Sequence, residues 1–119
     1  MEYMIGVDIG TTSTKAVLFD DKNVVVASAN KSYALYRDLP DMAEEDLDEL
    51  FEALVSALSE VVRVADLNKG NQITAVSFSS AMHSLIAFDE DWNPLTRAIT
   101  WADTRAVKYT EELKANGIG

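Results

Sequence analysis

The stretch Gly6-Val7-Asp8-Ile9-Gly10-Thr11-Thr12-Ser13-Thr14-Lys15 restricts the fold of this chain more than any other. Tyr3 to Ile9 is apolar and β-branched and reads as a buried strand. Gly10 to Ser13 carries a turn signal. Lys15 to Phe19 then continues as strand, so the turn does not open into a helix. A Walker phosphate loop needs G-x-x-x-x-G-K-[ST] followed by a helix, and neither is present. A hairpin is what remains, and its first strand delivers the carboxylate of Asp8 to the turn.

Asp20-Asp21-Lys22-Asn23 is a second turn, and Val24 to about Ala34 a third strand. Three strands joined by tight turns predict an antiparallel meander. After a loop marked by Pro40 and Asp41, apolar residues fall at Leu47, Leu50, Phe51, Leu54, Leu58, Val61, Val62 and Ala65. Only an α-helix aligns that spacing on one face. Glu44, Glu45 and Asp46 cluster where the helix dipole favours negative charge. Asn68-Lys69-Gly70-Asn71 is expected to end the helix with a capping glycine. Ile73 to Phe78 reads as a fourth strand, expected parallel to the first because a helix connects them. Further on, Ser84 to Phe88 reads as a short strand, Glu90 to Pro94 as a turn that Trp92 covers, and Ala98 to Trp101 as an extended piece. A second helix is expected from Thr104 or Arg105 to about Ala115, with Asn116-Gly117-Ile118-Gly119 as its cap and exit. The class is α/β: a three-stranded antiparallel meander, a long helix, a further strand and a second helix, part of a larger layered structure.

The net charge of −10 argues against DNA or RNA as partners, because phosphate backbones select basic surfaces. Acid is dense from Asp38 to Glu60, with no Lys or Arg between, and reads as a solvated helix face with its entry loop; a partner-binding surface is the rival reading. No apolar run reaches the roughly 18 residues of a membrane span. Met1-Glu2-Tyr3-Met4 lacks the basic start of a secretory signal. The absence of cysteine excludes disulfides and thiolate zinc sites, and together these features predict a cytoplasmic protein.

A tight turn exposes N–H groups to one side, and that concavity suits an anion. Thr11, Thr12 and Ser13 can add hydroxyl donors and Lys15 a point charge. Asp8 would repel a phosphate directly, but fits if a Mg²⁺ ion carrying its own waters lies between them. A plain hairpin turn rich in Gly and Thr is the alternative. His83, the one histidine, can donate to a hydroxyl or carboxylate or act as a base, or it can be an ordinary surface or core histidine. Met82 can fill a core gap and Trp101 can be a core aromatic. Asp103 and Arg105 can contact a ligand or pair with each other to shape their loop.

The pattern from Gly6 to Lys15 resembles the phosphate-binding element of the actin-like, ribonuclease-H-like ATPase fold. Ser79-Ser80-Ala81-Met82-His83-Ser84 and Ile99-Thr100-Trp101-Ala102-Asp103-Thr104-Arg105 narrow the resemblance to the FGGY carbohydrate kinases. Within that family Ala81 and Ser84 flanking Met82-His83 are most similar to gluconate kinases; xylulose kinases usually carry Gln and Gly there, and glycerol kinases an Arg-Glu pair in place of Met82-His83. The resemblance implies ATP-dependent phosphorylation of a sugar or sugar acid, most similar to D-gluconate giving 6-phosphogluconate, with xylulose or another pentulose as the alternative acceptor and a non-catalytic sugar or nucleotide sensor as the rival class. It implies ATP and Mg²⁺ as cofactors. Gly10, Thr11, Thr12, Ser13 and Lys15 would bind the ATP phosphates and Asp8 the metal. Met82, His83, Trp101 and Asp103 would bind the substrate. Residues 1–119 would be the N-terminal portion of the sugar-binding domain, with the catalytic Asp and a second domain beyond residue 119. The piece alone is expected to be inactive and marginally stable or self-associating, and the whole enzyme is a candidate homodimer. For the carboxylate of an acidic sugar, Arg37, Arg97, Arg105 or a residue outside the chain are all open.

Overall fold

Alternation along β1 (Glu2–Ile9) and β2 (Ser13–Phe19) decides which side of the first sheet is buried. Side chains of a strand point to opposite faces in turn. Ile5 and Val7 of β1 and Ala16 and Leu18 of β2 are buried, while Met4 and Asp8 on the other phase of β1 are exposed. The computed structural model describes residues 1–117, and within them the chain divides into two compact units.

The first unit comprises Met1–Ala34 and Asp46–Ala81. The meander expected from the turns is formed: β1 pairs antiparallel with β2, and β2 with β3 (Val25–Ser32). The strand after the long helix, β5 (Gln72–Ser80), pairs parallel with β1, giving the order β3-β2-β1-β5. The two-residue strand β4 (Glu44–Glu45) precedes that helix and belongs to the second unit.

Helix α1 (Leu47–Ala65) packs on β2 and β3. Its periodicity is as expected, but its innermost line is Ala53, Ala57, Val61 and Ala65, an i, i+4 row of mostly small residues. Leu54, Leu58 and Val62 flank this row, and Phe51 is 65% exposed. Small side chains let the helix approach the sheet closely, so Leu54 and Leu58 lie along one side of the contact. Burying Leu18 and Val61 contributes roughly 1.5–3 kcal/mol each.

The start of α1 differs from expectation. Only Asp46 caps it, its Oδ1 accepting from the N–H groups of Asp48 at 2.9 Å and Glu49 at 3.1 Å. Such a cap is worth about 1 kcal/mol. Glu44 and Glu45 lie in β4, because strand pairing takes up their backbone before the helix begins. The end differs too. Asp66 closes α1 in the left-handed region at φ 53°, and Gly70, at φ 79°, ends the following 3-10 turn, Leu67–Lys69. The Asn71 side chain donates to the carbonyls of Ala65 and Asp66, two of the groups a helix end leaves unpaired.

The second unit comprises Leu35–Glu45 and the chain from Met82 onward. Its centre is the pairing of β4 with β6 (Ala98–Ile99), Glu44 opposite Ile99 and Glu45 opposite Ala98. Single rungs extend this pair on both sides, making a row Leu85–Ile99–Glu44–Tyr36. The strand expected over Ser84 to Phe88 is thus two separate rungs, Leu85 with Ile99 and Phe88 with Pro94. Helix α2 (Val107–Ala115) begins later than expected; before it, the N–H groups of Thr104 and Arg105 are bound to the Asp41 carbonyl and the Asp103 carboxylate. Asn116 caps α2; Ile118 and Gly119, expected in its exit, lie outside the described residues. Among the described residues no helix is long and apolar enough to cross a membrane.

Candidate functional site

The structure brings the expected phosphate-side residues together in the first unit. Asp8 stands directly opposite Lys15 in the β1–β2 register. Both lie on the sheet face turned away from α1, in an open cleft of about 280 Å³ shared with Gly6, Phe19, Phe78 and Ser79. An exposed cation beside an exposed carboxylate at a strand end can meet a phosphate and a hydrated divalent cation at once.

The turn between these strands is closed by the Gly10 N–H donating to the Ser13 carbonyl at 2.9 Å. Glycine suits the position, since a Cβ on residue 10 would crowd that carbonyl oxygen at 3.0 Å. Tyr33, just past β3, braces the turn twice. Its N–H donates to the Thr12 carbonyl at 3.1 Å, and its hydroxyl donates to the Gly10 carbonyl. The carbonyl oxygens of Gly10, Thr12 and Ser13 are therefore all engaged by donors. Carbonyl oxygens repel an anion, so tying them up favours a phosphate at this turn. Thr14, fully buried, places its hydroxyl 3.4 Å from that of Tyr33. Sequence reasoning missed Tyr33; its only signal was an aromatic residue at the end of a strand facing a Gly-Thr turn.

Asp8 is the one expected metal ligand. Among the described residues no group of three or more His, Cys, Asp or Glu could hold a metal ion. A single exposed carboxylate fits Mg²⁺, which keeps several waters and is commonly held by one or two carboxylates plus substrate phosphates.

In the second unit the Leu85–Ile99 rung is antiparallel, with both backbone hydrogen bonds formed at 2.8 and 2.9 Å. His83 and Trp101 each lie two residues along the chain from this rung, and both are exposed. Met82 is 70% exposed and Trp101 61% exposed. His83 is held at φ 63°, a left-handed conformation uncommon outside glycine. Strained backbone of this kind costs on the order of 1 kcal/mol and clusters at ligand sites.

Asp103 sits differently. Its side chain is only 4% exposed. It accepts from the Arg105 Nε at 2.9 and 3.1 Å, from Nη2 at 2.6 Å, from the Arg105 N–H at 3.0 Å and from the Ala43 N–H at 3.0 Å. The Arg105 contact, helped by those N–H groups, holds its carboxyl down at about 2. Of the two possibilities left by the sequence, the ion pair that shapes the loop is formed. Arg105 also contacts Glu44, and its two carboxylate partners, Asp103 foremost, hold the guanidinium protonated more firmly than usual. Arg97 stacks 4.1 Å from the Tyr36 ring centroid and pairs with Asp38 at 3.6 Å and Glu44 at 3.9 Å. On the opposite phase of β4, Glu45 is buried, its Oε1 lacking a hydrogen-bond partner among the described residues, and burial pushes its carboxyl up to about 7.

Comparison with known proteins places this arrangement among relatives. The sequence profile of the FGGY family of carbohydrate kinases, N-terminal domain, matches residues 3–119. The chain is 45% identical to a gluconokinase of Bacillus licheniformis over 112 residues, 94% of this chain and 21% of that protein. It is 32% identical to a xylulose kinase of Bacillus subtilis over 116 residues, 94% of this chain and 23% of that one. Among solved structures it is similar to a gluconate kinase from Lactobacillus acidophilus, with 40% identity and a TM-score of 0.91 over 98% of this chain and 23% of that one. The chain thus spans about a fifth of the length of these relatives.

Proposed function

The chain belongs to the FGGY family of carbohydrate kinases, and from that premise we propose that it supplies the N-terminal portion of the sugar-binding domain of an ATP-dependent kinase. The acceptor we propose is D-gluconate, converted to 6-phosphogluconate by transfer of the ATP γ-phosphoryl group to a primary hydroxyl. The observation that carries this reading is the identity with gluconokinases, 45% against 32% for the xylulose kinase. The exposed side chains of His83 and Trp101, each two residues along the chain from the Leu85–Ile99 rung, support it as a wall for a polar acceptor.

Phosphoryl transfer asks a protein chiefly for positioning and charge stabilisation. In this reading Thr11, Thr12, Ser13 and Lys15 hold ATP phosphate oxygens, at a turn whose carbonyls are already engaged. Asp8 would hold Mg²⁺, and the ion, when bound, would offset charge on the phosphate oxygens. His83 hydrogen-bonds acceptor hydroxyls, while Met82 and Trp101 cover the carbon face. The base that takes the hydroxyl proton is an Asp outside residues 1–119.

A pentulose acceptor is the second reading. A ligand-bound xylulose kinase from Lactobacillus acidophilus matches with 39% identity and a TM-score of 0.92, level with the gluconate kinase. The deciding experiment is ADP release by the longer kinase carrying this segment, with gluconate, xylulose and glycerol in turn. Turnover with gluconate is expected. Turnover with xylulose alone moves the assignment to pentuloses, and ATP binding without any turnover moves it to a sensor.

A further inference from the structure

We propose that Arg105 is a positioning residue for Trp101, acting through Asp103, Glu44 and Ala43, and that it is not the receptor for an acidic acceptor. The inference rests on the kinase reading for its kinetic test. Its argument stands on a chain of contacts within the second unit.

Trp101 lies between Thr100 and Asp103, and both of these are tied to Ala43. The Ala43 carbonyl accepts from the Thr100 N–H and from its hydroxyl, each at 3.0 Å. The Ala43 N–H donates to Asp103 Oδ2 at 3.0 Å. The Asp103 N–H returns to the Thr100 carbonyl at 3.0 Å and closes the turn. The backbone on both sides of Trp101 is thus clamped to one residue.

Asp103 can hold that place only while its charge is matched. The Arg105 Nε and Nη2 meet it, and Nη2 also meets Glu44 on β4, the strand that Ala43 leads into. One planar guanidinium therefore joins the turn that presents Trp101 to the strand it leans on. Without it, among the described residues, the nearly inaccessible carboxylate of Asp103 keeps only backbone N–H donors and Glu44 only Arg97 at 3.9 Å, so a little-exposed negative charge loses its counter-charge, which is unfavourable.

The same cluster is a poor receptor for a carboxylate. Arg97 and Arg105 are outnumbered by Asp38, Glu44 and Asp103, so an acidic sugar would meet net negative charge.

The test is made in the full-length kinase. Arg105→Gln is expected to raise KM for the sugar about tenfold, with KM for ATP and kcat within about twofold, the pattern of binding lost equally from ground and transition states. Arg105→Lys should recover less than half of the loss, because an ammonium cannot bridge two carboxylates as a fork. Trp101→Ala alone should cost a similar factor, and adding Arg105→Gln to it should change KM by less than about twofold, since the two act as one unit. Multiplying effects, or a loss confined to acidic sugars, would overturn the proposal in favour of direct contact. Amide exchange over residues 99–106 separates failure of this inference from failure of the kinase reading. It should speed by about tenfold in Arg105→Gln while β1 and β2 keep their protection; unchanged exchange refutes the positioning role even if no acceptor is ever found. Should Arg105→Gln fail to fold, Arg105→Lys carries both readouts.

Discussion

The backbone N–H of Ala43 donates to the carboxylate of Asp103 at 3.0 Å, and that one bond ties together stretches of chain 60 residues apart. The Asp103 carboxylate is nearly inaccessible and is also the anchor of Arg105. Asp103→Ala should therefore cost about 2–4 kcal/mol, since it leaves the Ala43 N–H without its partner and the Arg105 guanidinium with Glu44 in place of two carboxylates. Urea unfolding of wild type and variant at pH 6 measures it. The dependence on acid follows from the sign of the shift. Asp103 titrates at about 2 in the fold and near 3.9 unfolded. Its contribution is complete above the unfolded value and is lost as pH falls through the folded one. The gap between wild type and Asp103→Asn should close as pH drops from about 4 towards 2. A gap that stays constant over that range would remove the charge from the argument.

Glu45 predicts the opposite slope. Its carboxyl titrates at about 7 in the fold against an ordinary value of 4.5, because it is desolvated. Between those values the native state holds a proton that the unfolded chain has released. Stability should fall as pH rises from 4.5 to 7 and level off above. Glu45→Gln should flatten that limb and gain on the order of 1 kcal/mol at pH 8, while changing little at pH 4.5. Urea midpoints at pH 4.5, 6 and 8 decide it; parallel curves for wild type and variant would show that Glu45 ionises freely.

The hairpin at residues 9–15 and the period of α1 were legible because each is written in local order: alternation, a Gly-Thr turn, apolar residues every three or four. The parallel β5 followed from a connection rule. What was misread depended on distant pairing. Glu44 and Glu45 looked like dipole acids of α1, but their strand partner lies at Ala98–Ile99, where no local signal points. Leucine and alanine are equally apolar in a periodicity count, so the row that touches the sheet was off by one position along the helix. Asp103 with Arg105 was readable as a pair, yet the third member, Glu44, was not. Tyr33 acts on Gly10 only through the β2–β3 register.

Tyr33→Phe tests that last contact. The hydroxyl bond to the Gly10 carbonyl and the long one from Thr14 are lost, while the N–H bond to Thr12 stays. The expected cost to stability is about 1–2 kcal/mol, the net worth of these two bonds. In the full-length kinase KM for ATP should rise roughly three- to tenfold with KM for the sugar unchanged, because a freed carbonyl oxygen at the turn repels phosphate. A rise in the sugar KM instead would separate this turn from ATP.

Two turns in this chain have the same construction, and they differ in the residue that carries the strain. Asp20 Oδ1 accepts from the N–H groups of Lys22 and Val24, each at 2.9 Å, and Asp89 Oδ1 accepts from those of Asp91 and Asn93 at the same distance. The left-handed position is Asn23 at φ 62° in the first and Trp92 at φ 63° in the second. Asparagine tolerates that region, whereas a bulky side chain is costly there. Trp92 regains little from packing, being 79% exposed, with one tilted contact to Phe88 at 5.9 Å. Trp92→Asn should therefore stabilise by about 0.5–1 kcal/mol, and Trp92→Gly by slightly less because glycine loosens the unfolded chain. Thermal melts of the three proteins give the ranking. If Trp92→Asn melts lower than wild type, the Phe88 contact outweighs the backbone strain and Trp92 is the cover of this hairpin.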